Sequence, residues 1–318
     1  DLRTVKALKE TIGRLETLLE VQPEVVVCDL HPKYNSTVVA EELGLPVLRV
    51  QHHYAHILSC MAENDCEEKV IGVSFDGTGY GTDGTIWGGE LLVVADCQGF
   101  TRLGSIEPFV QVGGDISAKE GWRIAVSLIW QNTGNLEKTL DTVRKLGLCT
   151  DQEAKVLVTM AQRKINAVTS TSAGRLFDGV SAILGIRRAS TFEGEASTAL
   201  EFAAEAWRKQ REMQKKNPEE NLKIRMSEKE DIPESTGISE ASEDMNRKFI
   251  LNTGEIVAYL VRARLAGEDP GKLAYGFHRA LADEILAACE EAERQTGIRK
   301  VALSGGVFSE PVASGAGR

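Results

Sequence analysis

This chain has few cysteines, no long apolar run and no excess of positive charge, and each shortage excludes something. Its six cysteines lie far apart, at positions 28, 60, 66, 97, 149 and 289. No CxxC pair offers the close ligands of a structural zinc site, and the chain is too long and too poor in cysteine for a small disulfide scaffold. Reduced thiols in a cytoplasmic protein are the expectation. No stretch approaches the roughly 20 apolar residues that cross a bilayer, so no membrane partner is expected. The opening segment, "DLRTVKALKETIGRLETLLE", is charged and amphipathic and is not expected to be a secretory signal. It begins with Asp1 rather than Met, so the chain is expected to be processed or cut from a longer one. A net charge of −10 argues against a broad nucleic-acid-binding face, which needs clustered Lys and Arg. No repeat recurs at solenoid periods.

What is present suits a globular protein. At 318 residues, 42% hydrophobic and 26% charged, the chain can bury a large core and fits two domains or lobes. Val5, Leu8, Ile12, Leu15, Leu18 and Leu19 recur at helical spacing. "PEVVVCDLHP" reads as a buried strand. "STVVAEELG" reads as a short helix with Ser36 as N-cap and Gly44 as its stop, and "LPVLRVQ" as a second strand. A helix carrying "HHYAHILSC" follows. This alternation over residues 1–68 is α/β organisation. "VIGVSFD" and "IWGGELLVV" then predict two strands joined by a turn with glycines at 77, 79, 81 and 84. That is strand–glycine loop–strand, and it matches neither a P-loop nor a dinucleotide fingerprint. Residues 116–211 predict mostly helix. Residues 212–247 are charged, Ser-rich and poor in aromatics, and read as a solvated insertion. Helices resume to about residue 296, and "KVALSGGVF" is a last strand running into a glycine turn.

Three of the five histidines crowd into residues 52–56. His52 and His56 stand four residues apart, so a helix would bring both imidazoles to one face, close enough to grip one metal ion. A proton relay and a packed or surface helix fit the same spacing. Asp76 closes a strand and opens the glycine loop. An acid there can coordinate a cation while glycine N–H groups face phosphate. Four glycines in eight residues exceed what a hairpin turn needs, which favours phosphate contact. Gly305 and Gly306 form a second strand-to-glycine turn, and two such loops suit a nucleotide held between lobes. In "TSAGRLFDGV", Asp178 could accept from a ribose hydroxyl, but alone it reads as an ordinary acid in a helix turn.

In this order, "CDLHPKYNST", "VQHHYAHILSCMAE", "SFDGTGYGTDGTIWGGELL", "TSAGRLFDGVSAILGI", "FEGEAS" and "LSGGVF" resemble one family. It is the Kae1-like domain of the hydrogenase maturation carbamoyltransferases, HypF. The resemblance covers nearly the whole chain apart from the charged insertion and the last ten residues. It implies the two-lobed actin and sugar-kinase fold (ASKHA), α/β with ribonuclease-H-like lobes. Residues 1–68 would be the remainder of the first lobe, with the HxxxH helix. Residues 69–318 would be the second lobe, with its insertion at about 212–247. It implies carbamoyl transfer from carbamoyl-adenylate to the C-terminal cysteine of HypE, toward the cyanide ligand of [NiFe]-hydrogenase. Carbamoyl phosphate and ATP would enter through a separate YrdC-like domain. Residue by residue, it implies metal ligation by His52, His56 and Asp76. Gly77, Thr78, Gly79 and Tyr80 would approach the adenylate phosphate, Asp178 and Gly194 the ribose and base, and Gly305 and Gly306 the opposite side. The implied cofactor is a divalent ion, iron or zinc, with magnesium a further candidate beside the ATP-derived substrate. The partner's thiolate would be the nucleophile, so this chain needs no reactive cysteine.

The sequence also departs from the family. Acylphosphatase-like, zinc-finger and YrdC-like regions have no counterpart here, nor do the first strands of the Kae1-like domain. The family's SGGVFQN is replaced by a run with Ser309 and Glu310, and a later metal-binding Asp has no match. The chain is therefore expected to be incomplete at both ends. Two other readings stand beside the transferase: a relative of the tRNA threonylcarbamoyl transferases and a non-catalytic module that docks a partner. The first typically carries SGGHT where this chain has "FDGTGYG", and the acidic charge also opposes tRNA.

Overall fold

The computed structural model describes residues 2–96, 98–215 and 249–309. Cys97 and Glu310 lie outside them. The architecture is α/β, with a two-stranded and a seven-stranded sheet. Helix α1 (Leu2–Leu19) leads into β1 (Val26–Asp29), α2 (Asn35–Glu42) and β2 (Val47–Val50). Strands β1 and β2 pair in parallel, as a helical crossover requires. Ser36 is not the cap of α2. Tyr34 takes that position without a side-chain bond, and Ser36 falls inside the first turn. Gly44 does end the helix, at φ +70°.

Helix α3 (His52–Glu63) follows β2 with Gln51 as N-cap, whose side chain accepts from the Tyr54 N–H. Strand β3 (Val70–Tyr80) pairs antiparallel with β4 (Ile86–Asp96). Strands β5 (Gly99–Ile106), β6 (Phe109–Val112), β7 (Ala167–Ser170), β8 (Phe249–Leu251) and β9 (Val301–Ser304) complete a mixed sheet. Strand β9 lies parallel to β3, joining residues 301–304 back to residues 71–74. The stretch expected to be mostly helical holds α4 (Gly121–Thr133), α5 (Leu136–Lys145), α6 (Asp151–Arg163), α7 (Ala173–Ile183) and α8 (Glu195–Lys215). It also contains β7, too short at four residues to show a period. Two more helices, α9 (Thr253–Leu265) and α10 (Pro270–Thr296), precede β9. The expected insertion starts inside α8, which is helical to Lys215. Its remainder lies outside the described residues.

The pleat of β3 sorts the two faces of the larger sheet. Ile71, Val73 and Phe75 enter the main core against α4, α7 and α10. Val70 turns the other way, joining Tyr54, Ile57 and Met61 of α3 with Trp87, Leu92, Val94 and Ala302 in a second core. Gly72 is on that face too, where a Cβ would come within 2.7 Å of Ile57. Helix α3 therefore lies on the larger sheet, and the next even positions of β3, Ser74 and Asp76, run along beneath it.

Candidate metal centre

Two periodicities meet at one point. The helix puts His52 and His56 on one side of α3, beside its buried stripe of His53, Tyr54, Ile57 and Met61. The pleat puts Asp76 on the same side of β3. Asp76 Oδ2 lies 2.9 Å from His52 Nε2 and 3.3 Å from His56 Nε2. One donor atom from each of the three lies within 4.8 Å of the other two, a spacing that fits a single cation. The side chains are 34%, 31% and 26% exposed, so the cluster opens to solvent on one side.

The electrostatics match a paired site. Hydrogen bonds from His52 and His56 hold the Asp76 carboxyl far below the usual carboxylate range. The N–H of Gly306 adds a bond to Asp76 Oδ1 at 3.3 Å. The bond to Asp76 raises His52 above the ordinary imidazole value against the pull of burial. His53 behaves oppositely. It is fully buried, and desolvation, with His52 nearby, lowers it to about 3. Its Nδ1 lies 3.1 Å from the Gln51 amide nitrogen. That amide also donates to the Tyr80 carbonyl at 3.2 Å. Gln51 thus ties the start of α3 to the end of β3, a role that polar residues before a helix signal only as capping.

The expected glycine loop is strand. Gly77, Thr78, Gly79 and Tyr80 belong to β3, with a register shift between Phe75 and Gly79, and the turn proper occupies 81–85. Close packing explains the glycines better than turn geometry does. A Cβ on Gly79 would come within 2.6 Å of His53 and 2.9 Å of His52. One on Gly174, at the start of α7, would come within 2.9 Å of the Gly77 Cα. Gly305 takes φ +106° and rests on the Phe75 carbonyl, while Gly306 faces Asp76. Thus Gly77, Gly79, Gly305 and Gly306 gather around the His–His–Asp cluster, with Thr78 exposed beside them.

Asp178 is buried in α7 and accepts from Arg175 Nε at 2.6 Å. Burial raises it to about 6 despite that partner. Gly194 has φ +78° and precedes α8, where its carbonyl accepts from the Ser197 hydroxyl. Among the described residues, the side-chain hydrogen-bond and ion-pair partners of Asp178 and Gly194 are Arg175 and Ser197 rather than the three ligand candidates.

Sequence reasoning missed the polar bed beneath the site. Ser304, Ser74, Glu90 and Ser105 form one cross-strand row through β9, β3, β4 and β5. Glu90 is fully buried and binds Arg102 Nε at 2.6 Å, Thr171 and the Gly88 N–H. Arg102 also lies 4.1 Å from the Trp87 ring centroid. The signal was a lone acid inside the apolar run "IWGGELLVV", which a buried strand carries only with a partner.

Asp76, expected to close its strand, lies inside β3, four residues before its end. A mixed-sheet α/β fold with a histidine pair on a helix facing an aspartate of the neighbouring strand defines a Kae1-like domain of the actin and sugar-kinase class. Two family models agree: "HypF Kae1-like domain" matches residues 1–63, and "Carbamoyltransferase, Kae1-like Domain, second subdomain" matches residues 72–313. The chain belongs to the HypF carbamoyltransferase family. It is 33% identical over 316 residues to the carbamoyltransferase HypF homolog of Cupriavidus necator, covering 97% of this chain and 73% of that protein. It is 34% identical over 322 residues to carbamoyltransferase HypF of Synechocystis, covering 96% of this chain and 37% of that one. A crystal structure of full-length HypF in its phosphate- and nucleotide-bound form superposes with TM-score 0.79 at 31% identity, covering 97% of this chain and 36% of that one. The chain thus spans little more than a third of the length of these last two relatives.

Proposed function

We propose that this chain is the carbamoyl-transfer domain of a HypF protein, passing a carbamoyl group from carbamoyl-adenylate to the C-terminal cysteine of HypE. The observation that carries the reading is the His52–His56–Asp76 cluster, flanked by Gly77, Gly79, Gly305 and Gly306, in a chain of this family. Two imidazoles and a carboxylate suit iron or zinc. When bound, such an ion supplies Lewis acidity to the carbamoyl carbonyl or the leaving phosphate. The rest falls to the chain itself. Strand β3 from Gly77 to Tyr80 lets substrate phosphate approach backbone closely, with Thr78 exposed at its edge. Asp178 and Gly194 are assigned to the ribose and base, and Gly305 and Gly306 to the other side of the nucleotide. In the transfer, a C–S bond to the incoming thiolate forms as the C–O bond to the adenylate phosphate breaks, and AMP leaves. Three of the thiols, Cys60, Cys149 and Cys289, are poor candidates for that nucleophile. Burial pushes Cys149 and Cys289 up to about 11 and also raises Cys60. HypE is assigned as the source of the thiolate on the family reading.

The test supplies carbamoyl-adenylate and HypE to the purified chain and follows HypE by intact mass. Addition of one carbamoyl group to the C-terminal cysteine, lost in a His52→Ala/His56→Ala variant, is the expected result. Unmodified HypE alongside a chain that binds the adenylate and one equivalent of metal would overturn the transfer.

A further inference from the structure

We infer that Asp29 and Ser304 are the positioning residues of the metal centre, each holding the far nitrogen of one ligand imidazole. The inference rests on the metal reading above and names what presets its two histidines. An imidazole can offer Nε2 to a cation only when the proton sits on Nδ1, and an acceptor placed at Nδ1 selects that tautomer. Both rings turn Nε2 toward Asp76 Oδ2, so both turn Nδ1 outward. At His52 the Nδ1 meets Asp29 Oδ2 at 3.5 Å. At His56 it meets Ser304 Oγ, also at 3.5 Å. The two supports come from different sheets, Asp29 from the end of β1 and Ser304 from the end of β9.

Asp29 is itself held. Its Oδ1 accepts the His31 N–H at 2.7 Å, which directs the second oxygen at His52. His31 stacks on Tyr34 at 4.0 Å and meets the edge of Tyr80 at 4.9 Å, so the turn after β1 is braced against β3. A carboxylate is a stronger acceptor than a hydroxyl. Asp29 therefore carries the larger share.

Titration of the full chain with cobalt(II) alone, followed by its visible absorption, measures the effect. Loss of an outer-shell partner costs about 10–100-fold in metal affinity. Asp29→Leu is expected to weaken binding by that factor, Asp29→Asn to recover part of it, and Ser304→Ala to lose less. Affinity in Asp29→Leu within about twofold of the parent would overturn the inference. Asp29→Asn keeps an acceptor for the His31 N–H, and carries the test if Asp29→Leu fails to fold. A metal-free readout separates this inference from the metal reading. In the low-field proton spectrum of the chelated chain, the His52 Nδ1 proton is expected to exchange slowly, and to exchange faster in either Asp29 variant. A parent that binds no cobalt sinks the metal reading, while that proton still decides the contact. Equal exchange in parent and variants would overturn it.

Discussion

At the scale of single residues, the three neighbouring histidines are not equivalent, and proton linkage makes the difference measurable. Fully buried His53 has a folded-state pKa of about 3, so between there and its ordinary value near 6.5 only the unfolded chain takes the proton. Its stability contribution is complete above about 6.5 and falls as pH drops, by up to about 1.4 kcal/mol per pH unit. Asp76 acts in the same direction further down, because its lowered pKa contributes stability above the carboxylate range that is lost on acidification. His52 has the opposite sign. Its raised pKa gives stability that is complete below the ordinary imidazole value and lost as pH rises through the folded value. The metal-free chain should therefore be most stable near neutrality. Urea midpoints measured in chelator from pH 4 to 8 should show a falling acid limb that flattens in His53→Gln. An acid limb unchanged in that variant would show that His53 is not its source.

At the scale of elements, β3 is the piece on which the site is assembled, and its glycines are spacers. Gly305→Ala is expected to destabilise the chain by about 2 kcal/mol or more, because it combines a left-handed φ with overlap of the Phe75 carbonyl. In a chain of 318 residues, that corresponds to a drop of roughly 3 °C or more in Tm. Gly99→Ala is the control: it has open space around it and should melt within about a degree of the parent. Thermal melts of the two variants make the comparison.

Much of this scale was legible from local pattern. The 3.6-residue period marked α1, apolar β-branched runs marked β1 and β3, and the four-residue step from His52 to His56 foretold their shared face on the helix expected after β2. The extent of β3 was not legible, because Gly77 and Gly79 look like turn residues until the neighbour each must avoid is known. Strands β6 and β7 were too short to show alternation. Asp29, Gln51 and Ser304 reach the site through contacts between separate elements, which no local period records. Glu90 and Arg102 pair across two strands for the same reason.

At the scale of the whole molecule, the candidate centre links folding to metal supply. A ligand bound only by the folded state adds about 2.7 kcal/mol at 100 times its Kd. Zinc at that excess should raise the urea midpoint of the parent and leave His52→Ala/His56→Ala where it was. A variant that gains as much as the parent would place the stabilising ion elsewhere.

The pairing of β9 with β3 carries one more consequence, for the order in which the protein is made. Asp76 takes a bond from an amide 230 positions later, and His56 reaches a hydroxyl 248 positions away. Both histidines and the aspartate leave the ribosome long before Gly306. Until then, β3 lacks its parallel neighbour on that side, with Asp76 still waiting for one of its donors. Closing so long a loop into a parallel strand pair is slow. The centre is therefore completed only after β9 is made, and tight capture of a divalent ion by a newly made chain would report that β9 has docked on β3.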